Sequence, residues 1–409
     1  MRTVNKHVAG AATPWGGLKP SKVTVVVLML CVMFVTLSGC DSPGKLGPLR
    51  RDGPPGMTTH AGEQRLWLLF TQEESRRYTY QTRYHFELHG FDTRTAQRVW
   101  TKRLLTVGYN DGGYNARARI LGQDGAHVWV FLHNEPVAVS SADGAVVADR
   151  AKLEAANPEL KGLFPSVLEF YTFDAGLVVT TADARRYRIN AADFTAKPYT
   201  PASDEAFRRM SYMSSQWNGG YQTKDFRVRQ SMLWGRWIGL HSEKEAAEAG
   251  KDEFGRRLKN PDGDIDDGAQ ARRTLWTARI GKTRQFSEGS HDRLFDVTRV
   301  PGAPEFLQGG FLIRQGTKQP LQLKEPDSTL ILHRTRIDAE GRLALTRLDS
   351  QLREQWTTML PYTELTNRWE WPDRLLLMGK EEVGQPGSSR QIERIVAVSL
   401  ADGRMQVAQ

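Results

Sequence analysis

The chain has 409 residues, 56 Lys and Arg against 47 Asp and Glu, a net charge of +9 and two cysteines. The positive excess is spread out, with no block of five or six like charges, which argues against a nucleic-acid-binding arm and gives no nucleic-acid partner. Two cysteines exclude a disulfide framework, and the chain is long enough to bury a large core without one.

Residues 1–22 carry Arg2, Lys6, Lys19 and Lys22 and no acidic residue, and 23–37 is an apolar run broken only by Thr24 and Thr36. Leu37-Ser38-Gly39-Cys40 follows. A basic start, a short apolar core and small residues at a cut site form the secretory pattern. The run falls short of the roughly 20 residues of a spanning helix. The tetrapeptide resembles the lipobox of bacterial lipoprotein precursors. That resemblance implies a signal peptide over 1–39, acyl chains such as palmitate on Cys40, and a membrane anchorage facing the periplasm in the cell envelope. Asp41 matches the enterobacterial rule for retention at the inner membrane. Cys31 leaves with the signal, and the mature chain keeps 52 basic against 47 acidic residues, about +5.

Residues 40–63, rich in Pro, Gly and charge, are expected to form a flexible tether, and 64–409 the folded domain. Short apolar or alternating runs recur at 66–70, 84–88, 127–132, 177–181, 311–313, 329–332, 374–378 and 395–400, most followed by Gly, Asp, Asn or Pro. This spacing predicts strands and an all-β fold. Short helices are expected at 149–156, 203–210 and 242–249. The last has Ser242 and Glu245 as a capping box and Gly250 as a stop. The polar segment 241–272 reads as a surface insertion. Its acidic run, 262–268, lacks the Gly and Glu that an EF-hand loop requires and reads as solvated.

A weak repeat runs through the domain. Asp92-Thr93-Arg94-Thr95-Ala96 leads to Trp100, and Asp349-Ser350-Gln351-Leu352 leads to Trp356. Asp143-Gly144-Ala145-Val146 and Asp402-Gly403-Arg404-Met405 share the cadence, each reading as strand, turn, strand. A period of about 40–50 residues marks a propeller. The cadence resembles the pyrroloquinoline-quinone-type repeat of quinoprotein-like β-propellers. These include quinoprotein dehydrogenases and non-enzymatic lipoproteins such as the propeller subunit of the outer-membrane barrel assembly machinery. Ala96 and Leu352 replace the repeat's Gly, and 200–300 departs from the pattern. The resemblance implies a single β-propeller of about six to eight four-stranded blades with short helical insertions. Trp100 and Trp356 are expected in equivalent, largely buried positions. Ring closure is expected to put the early strand at 65–71 in one sheet with the last strands.

The resemblance also frames the chemistry. In the dehydrogenases a disulfide of adjacent cysteines packs on the quinone. The single cysteine of the mature chain supplies no such platform, so no cofactor, no metal and no enzymatic activity are expected. His85 and His89, four residues apart on a strand, lie about 13 Å apart, too far for one metal. No G-x-S-x-G elbow is present. Two loops share a form: Tyr109-Asn110-Asp111-Gly112-Gly113-Tyr114 and Trp217-Asn218-Gly219-Gly220-Tyr221. Asn and Gly make tight turns, and the aromatics either pack inward or stand on a rim as anchors for a partner. Tyr109, Asn110, Tyr114, Trp217, Asn218 and Tyr221 are the candidate binding residues. The expected function is an envelope scaffold or binding module acting through propeller loops on an envelope protein. The alternative is a small-ligand-binding or enzymatic propeller using its central channel.

Overall fold

A computed structural model describes residues 44–60, 62–75, 82–113, 116–201, 203, 223–251, 272–285, 289–324, 326–338, 340–383 and 390–408. The chain is all-β, in antiparallel sheets whose strands follow one another mostly in chain order. In the first sheet β1 (Lys45–Leu46), β2 (Arg50–Arg51) and β3 (Gly56–His60) lie end to end along one edge of β4 (Glu63–Ser75). The other edge of β4 pairs with β5 (Thr82–Asp92), and β5 with β6 (Arg98–Gly108). The second sheet holds β7 (Arg117–Gln123), β8 (His127–His133), β9 (Glu135–Ser140) and β10 (Val146–Ala148). After helix α1 (Arg150–Ala156) comes the third, with β11 (Tyr171–Phe173), β12 (Leu177–Thr180), β13 (Arg186–Ile189) and β14 (Ala196–Pro198).

The fourth sheet has ten strands. Its first half contains β15 (Arg227–Val228), β16 (Gln230–Leu233), β17 (Arg236–His241), β18 (Arg272–Gln285) and β19 (Gly289–Arg299), with helix α2 (Glu243–Lys251) between β17 and β18. Its second half contains β20 (Phe306–Leu312), β21 (Gln322–Lys324), β22 (Asp327–Arg334), β23 (Leu343–Asp349) and β24 (Glu354–Met359). β15 also pairs with β20, and Arg272 and Arg273 of β18 join the halves by pairing with Leu307 and Phe306. The last sheet is β25 (Glu364–Glu370), β26 (Arg374–Val383), β27 (Arg390–Ser399) and β28 (Met405–Val407).

Apolar runs without alternation, such as Leu66-Trp67-Leu68-Leu69, arise because both faces of the sheets are covered. Successive side chains leave a strand on opposite faces. Trp67 and Leu69 pack with Val128, Val130 and Leu132 of the second sheet, whereas Leu66 and Leu68 pack with Leu376 and Met378 of the last. Trp129 and Phe131 turn to Leu177 and Val179 of the third sheet. Leu375 and Leu377 turn to Leu330 and Leu332, while Ile331 meets Ile238 and Leu240.

Four turns repeat one geometry, and a fifth, at Asp349, is one residue shorter. Asp92 N–H donates to Gln97 O, Ser140 to Ala145, Asn190 to Thr195, Asp349 to Arg353, and Ser399 to Arg404. Inside them Ala96, Gly144, Phe194, Leu352 and Gly403 take φ of 57°, 72°, 61°, 63° and 72°. Trp100 and Trp356 do occupy equivalent places: each lies on the outermost strand of its sheet and covers a turn of the next. A Cβ at Gly144 would lie 2.5 Å from the Trp100 ring, and one at Gly403 2.7 Å from that of Trp356. Both indoles are half-buried, less covered than the sequence suggested, because an outermost strand has one side towards solvent.

Three further expectations differ from the structure. Residues 44–60, read as part of a tether, are strands and turns laid on β4, because backbone pairing to an open edge needs no apolar pattern. The first and last sheets share no strand; β4 and β27 meet face to face instead. The short helices at 149–156 and 242–249 are α1 and α2, but α2 runs through Gly250, expected as its stop, to Lys251. Asp149 caps α1 by accepting from Lys152 N at 2.9 Å, and Ser242 and Glu245 cap α2 reciprocally. Residues 204–210 of the expected helix at 203–210, the acidic run at 262–268 and Cys40 lie outside the described residues.

Candidate functional site

The strap carrying β1–β3 runs beside β27 as well as along β4. Arg51 Nη2 pairs with Glu393 Oε1 at 3.2 Å, and Arg51 Nη1 points at Met378 Sδ, 3.6 Å away. Asp52 N–H donates to Leu69 O at 2.8 Å, and the Asp52 carboxylate accepts from the Thr71 hydroxyl. Between strap, β4, β5 and β27 lies a cleft of about 830 Å³. Its floor is apolar, with Leu68, Phe70, Phe91, Ile392 and Ile395. On the Phe70 face the lining carries Arg51, Arg98, Lys380 and Glu393, whereas Arg50, opposite Thr71, and Asp52, bonded to it, stand on the other face of β4, and Arg394 stands on the other face of β27.

Three of those cations are already engaged: Arg51 with Glu393, Arg394 Nε with Glu381 at 2.7 Å, and Lys380 Nζ with Glu364 at 3.2 Å. Arg50 and Arg98 form no ion pair among the described residues. Burial pushes Asp52 from 3.8 up to about 7, against the pull of Arg50. Burial also raises Glu393, opposed by Arg51 and Lys380. His89 packs on Phe70 with ring centroids 4.7 Å apart, and burial lowers its pKa. The two carboxyls therefore hold their protons to a higher pH than usual. The cleft carries net positive charge over an apolar floor.

The candidate rim residues fall partly within reach of description. Tyr109 and Asn110 sit in a 3₁₀ turn, Tyr109–Asp111, closed by Gly112 at φ 82°, whose N–H reaches Tyr109 O at 3.2 Å. Both are exposed, Tyr109 by 44 %. Tyr114, Trp217, Asn218 and Tyr221 lie outside the described residues. His85 bonds Thr106 and Glu74 at 2.9 Å each, and His89 bonds Glu87 at 3.3 Å. No group of His, Cys, Asp and Glu among the described residues is arranged to hold a metal, and no helix among them is long and apolar enough to cross a membrane. Buried arginines on other edge strands hold the fold: Arg227 donates to Gln308 O, Arg368 pairs with Glu370 at 3.1 Å, and Arg119 packs beside Gly53 of the strap.

Sequence reasoning missed the cleft because half of it lies in the strap, where Arg50, Arg51 and Asp52 read as linker charge. One signal was present: Glu393 and Arg394 interrupt the apolar β27 run. No protein-family model matches the chain, and no curated protein matches it.

Proposed function

We propose that the chain is a lipid-anchored β-propeller of the cell envelope that works by binding, and that its ligand is an anion with an apolar part, seated in the cleft between the first and last sheets. The ten-stranded sheet, divided at its β18–β20 junction, makes six units in chain order. Packing of each strand's two faces onto different neighbours supports a ring, as does the repeated turn. The Trp100 position recurs as Val407, whose carbonyl accepts from Gln97 Nε2 next to Ala96, so the last unit leans on the first as the first leans on the second. The resemblance to non-enzymatic propeller lipoproteins points the same way, with Cys40 as the acylated residue. The excess of Arg51, Arg98 and Lys380 over Glu393 above an apolar floor carries the ligand assignment. A carboxylate or phosphate head meets Arg98 beside Arg51, and an alkyl or aromatic part covers Phe70 and Ile395.

The test is calorimetric titration of residues 41–409 with decanoate and decyl phosphate, with decanol as the neutral control. Both anions are expected to bind more tightly than decanol. Arg98→Ala is expected to weaken them about tenfold, the loss of one charged hydrogen bond. Equal binding of decanol, or no binding of either anion, overturns the ligand class.

A further inference from the structure

The point where the chain leaves the folded body fixes how that body meets a membrane. β1 pairs with the far end of β4, Lys45 opposite Ser75 and Leu46 opposite Glu74. The same end of the first sheet carries the start of β5 and the end of β6, where Arg83 pairs with Gly108, so the Tyr109 turn emerges there. The neighbouring sheet presents the corresponding end beside it: a Cβ at Gly112 would lie 3.4 Å from the His133 ring at the end of β8. Arg117, which opens β7, pairs with Glu169, between Val167 and Phe170. Four apolar side chains thus stand out from one end of adjacent sheets: Leu46 at 51 % exposure, Tyr109 at 44 %, Val167 at 48 % and Phe170 at 46 %. Apolar side chains gathered on one end of a soluble body mark a contact surface.

Only five residue steps separate Cys40 from Lys45, a reach of at most about 17 Å even fully extended. A free tether through residue 63 would have reached roughly 80 Å. We propose that the end of the molecule bearing Leu46, Tyr109, Val167 and Phe170 rests on the bilayer that holds the acyl chains of Cys40. Tyr109 lies at headgroup depth, the position that amphipathic aromatics favour. Acyl chains and exposed side chains act as two anchors together, where a single weak anchor releases. This rests on the lipidation of Cys40 but goes beyond it, since a lipidated protein on a long tether would show no preferred face.

The experiment uses the full chain, expressed in bacteria and reconstituted into vesicles of phosphatidylethanolamine and phosphatidylglycerol. Tyr109→Cys and Ala142→Cys each receive an environment-sensitive fluorophore; Ala142 is exposed in the β9–β10 turn, at the opposite end of its sheet. The Tyr109→Cys probe is expected to shift its emission to the blue and to be quenched by headgroup-labelled lipid, and the Ala142→Cys probe to do neither. The intact mass of each sample reports acylation of Cys40. An acylated protein with both probes in water overturns the membrane face and leaves the anchor standing. A chain without acyl mass at Cys40 overturns both.

Discussion

Asp52 shows what burial does to one carboxyl. Folded, it holds its proton to about pH 7; unfolded, it releases it near 3.8. Between those values the folded state binds more protons than the unfolded state, so stability falls as pH rises through that window. Asp52→Asn keeps an acceptor for Thr71 and removes the ionisation. The variant is expected to match the parent at pH 4 and exceed it at pH 8, by up to about 4 kcal/mol, as read from chemical denaturation at the two pH values. A second residue-scale test concerns Gly144. Alanine there meets the Trp100 ring and takes φ 72°, whereas Gly235, at φ 75°, has open space around it. Gly144→Ala is expected to cost roughly 1–3 kcal/mol more than Gly235→Ala, because strain is common to both but the clash is not; thermal melts of the pair decide it. The Asp-to-Trp spacing was legible in the sequence because turn and docking ring recur together. Phe194, at the same turn position, was not, since an aromatic residue is a poor signal for a left-handed backbone.

At the scale of the element, the strap is the part that composition misled. Pro48, Pro54, Pro55 and the glycines describe a chain that makes no helix and no long strand. They say nothing of an open β4 edge waiting opposite. The strap also satisfies a buried indole, since Trp67 Nε1 donates to Thr58 Oγ1 at 2.7 Å. Deleting 44–60 is therefore expected to destabilise the domain by several kcal/mol, exposing the edge of β4 and orphaning Glu393 and Trp67. A lowered melting temperature and faster proteolysis are the readouts; an unchanged melt would mean that the strap is only laid on. By contrast the start of α2 was readable, because the capping box Ser242–Glu245 is a local signal that needs no partner elsewhere, whereas its end passes the glycine expected to stop it.

For the whole molecule, strand runs located the sheets correctly, and the all-β class followed from them. How the ends meet was not readable, because face-to-face packing and strand sharing bury the same apolar residues. Ile395 and Ala397 face Leu66 and Leu68, whereas Val396 and Val398, beside Leu377 and Leu375 in their own sheet, face Leu330 and Leu332. Losing 395–409 removes side chains from both clusters, each buried aliphatic worth about 1.5–3 kcal/mol. That exceeds much of a domain's net stability. Truncation at 394 is expected to leave no folded protein by circular dichroism, and a cooperative melt at the parental temperature would show that the last sheet is dispensable.

The strap has a mechanical consequence as well. It leaves the body at the end where β4 terminates, with its axis along β4 and its backbone bonds crosswise to that axis. A pull on the N-terminal end along the strand direction therefore loads β1, β2 and β3 in shear, and their hydrogen bonds share the force. A sideways pull peels the same bonds one after another from Lys45. The attachment is strong against tension drawn straight out of the sheet's end and weak against tension drawn across it.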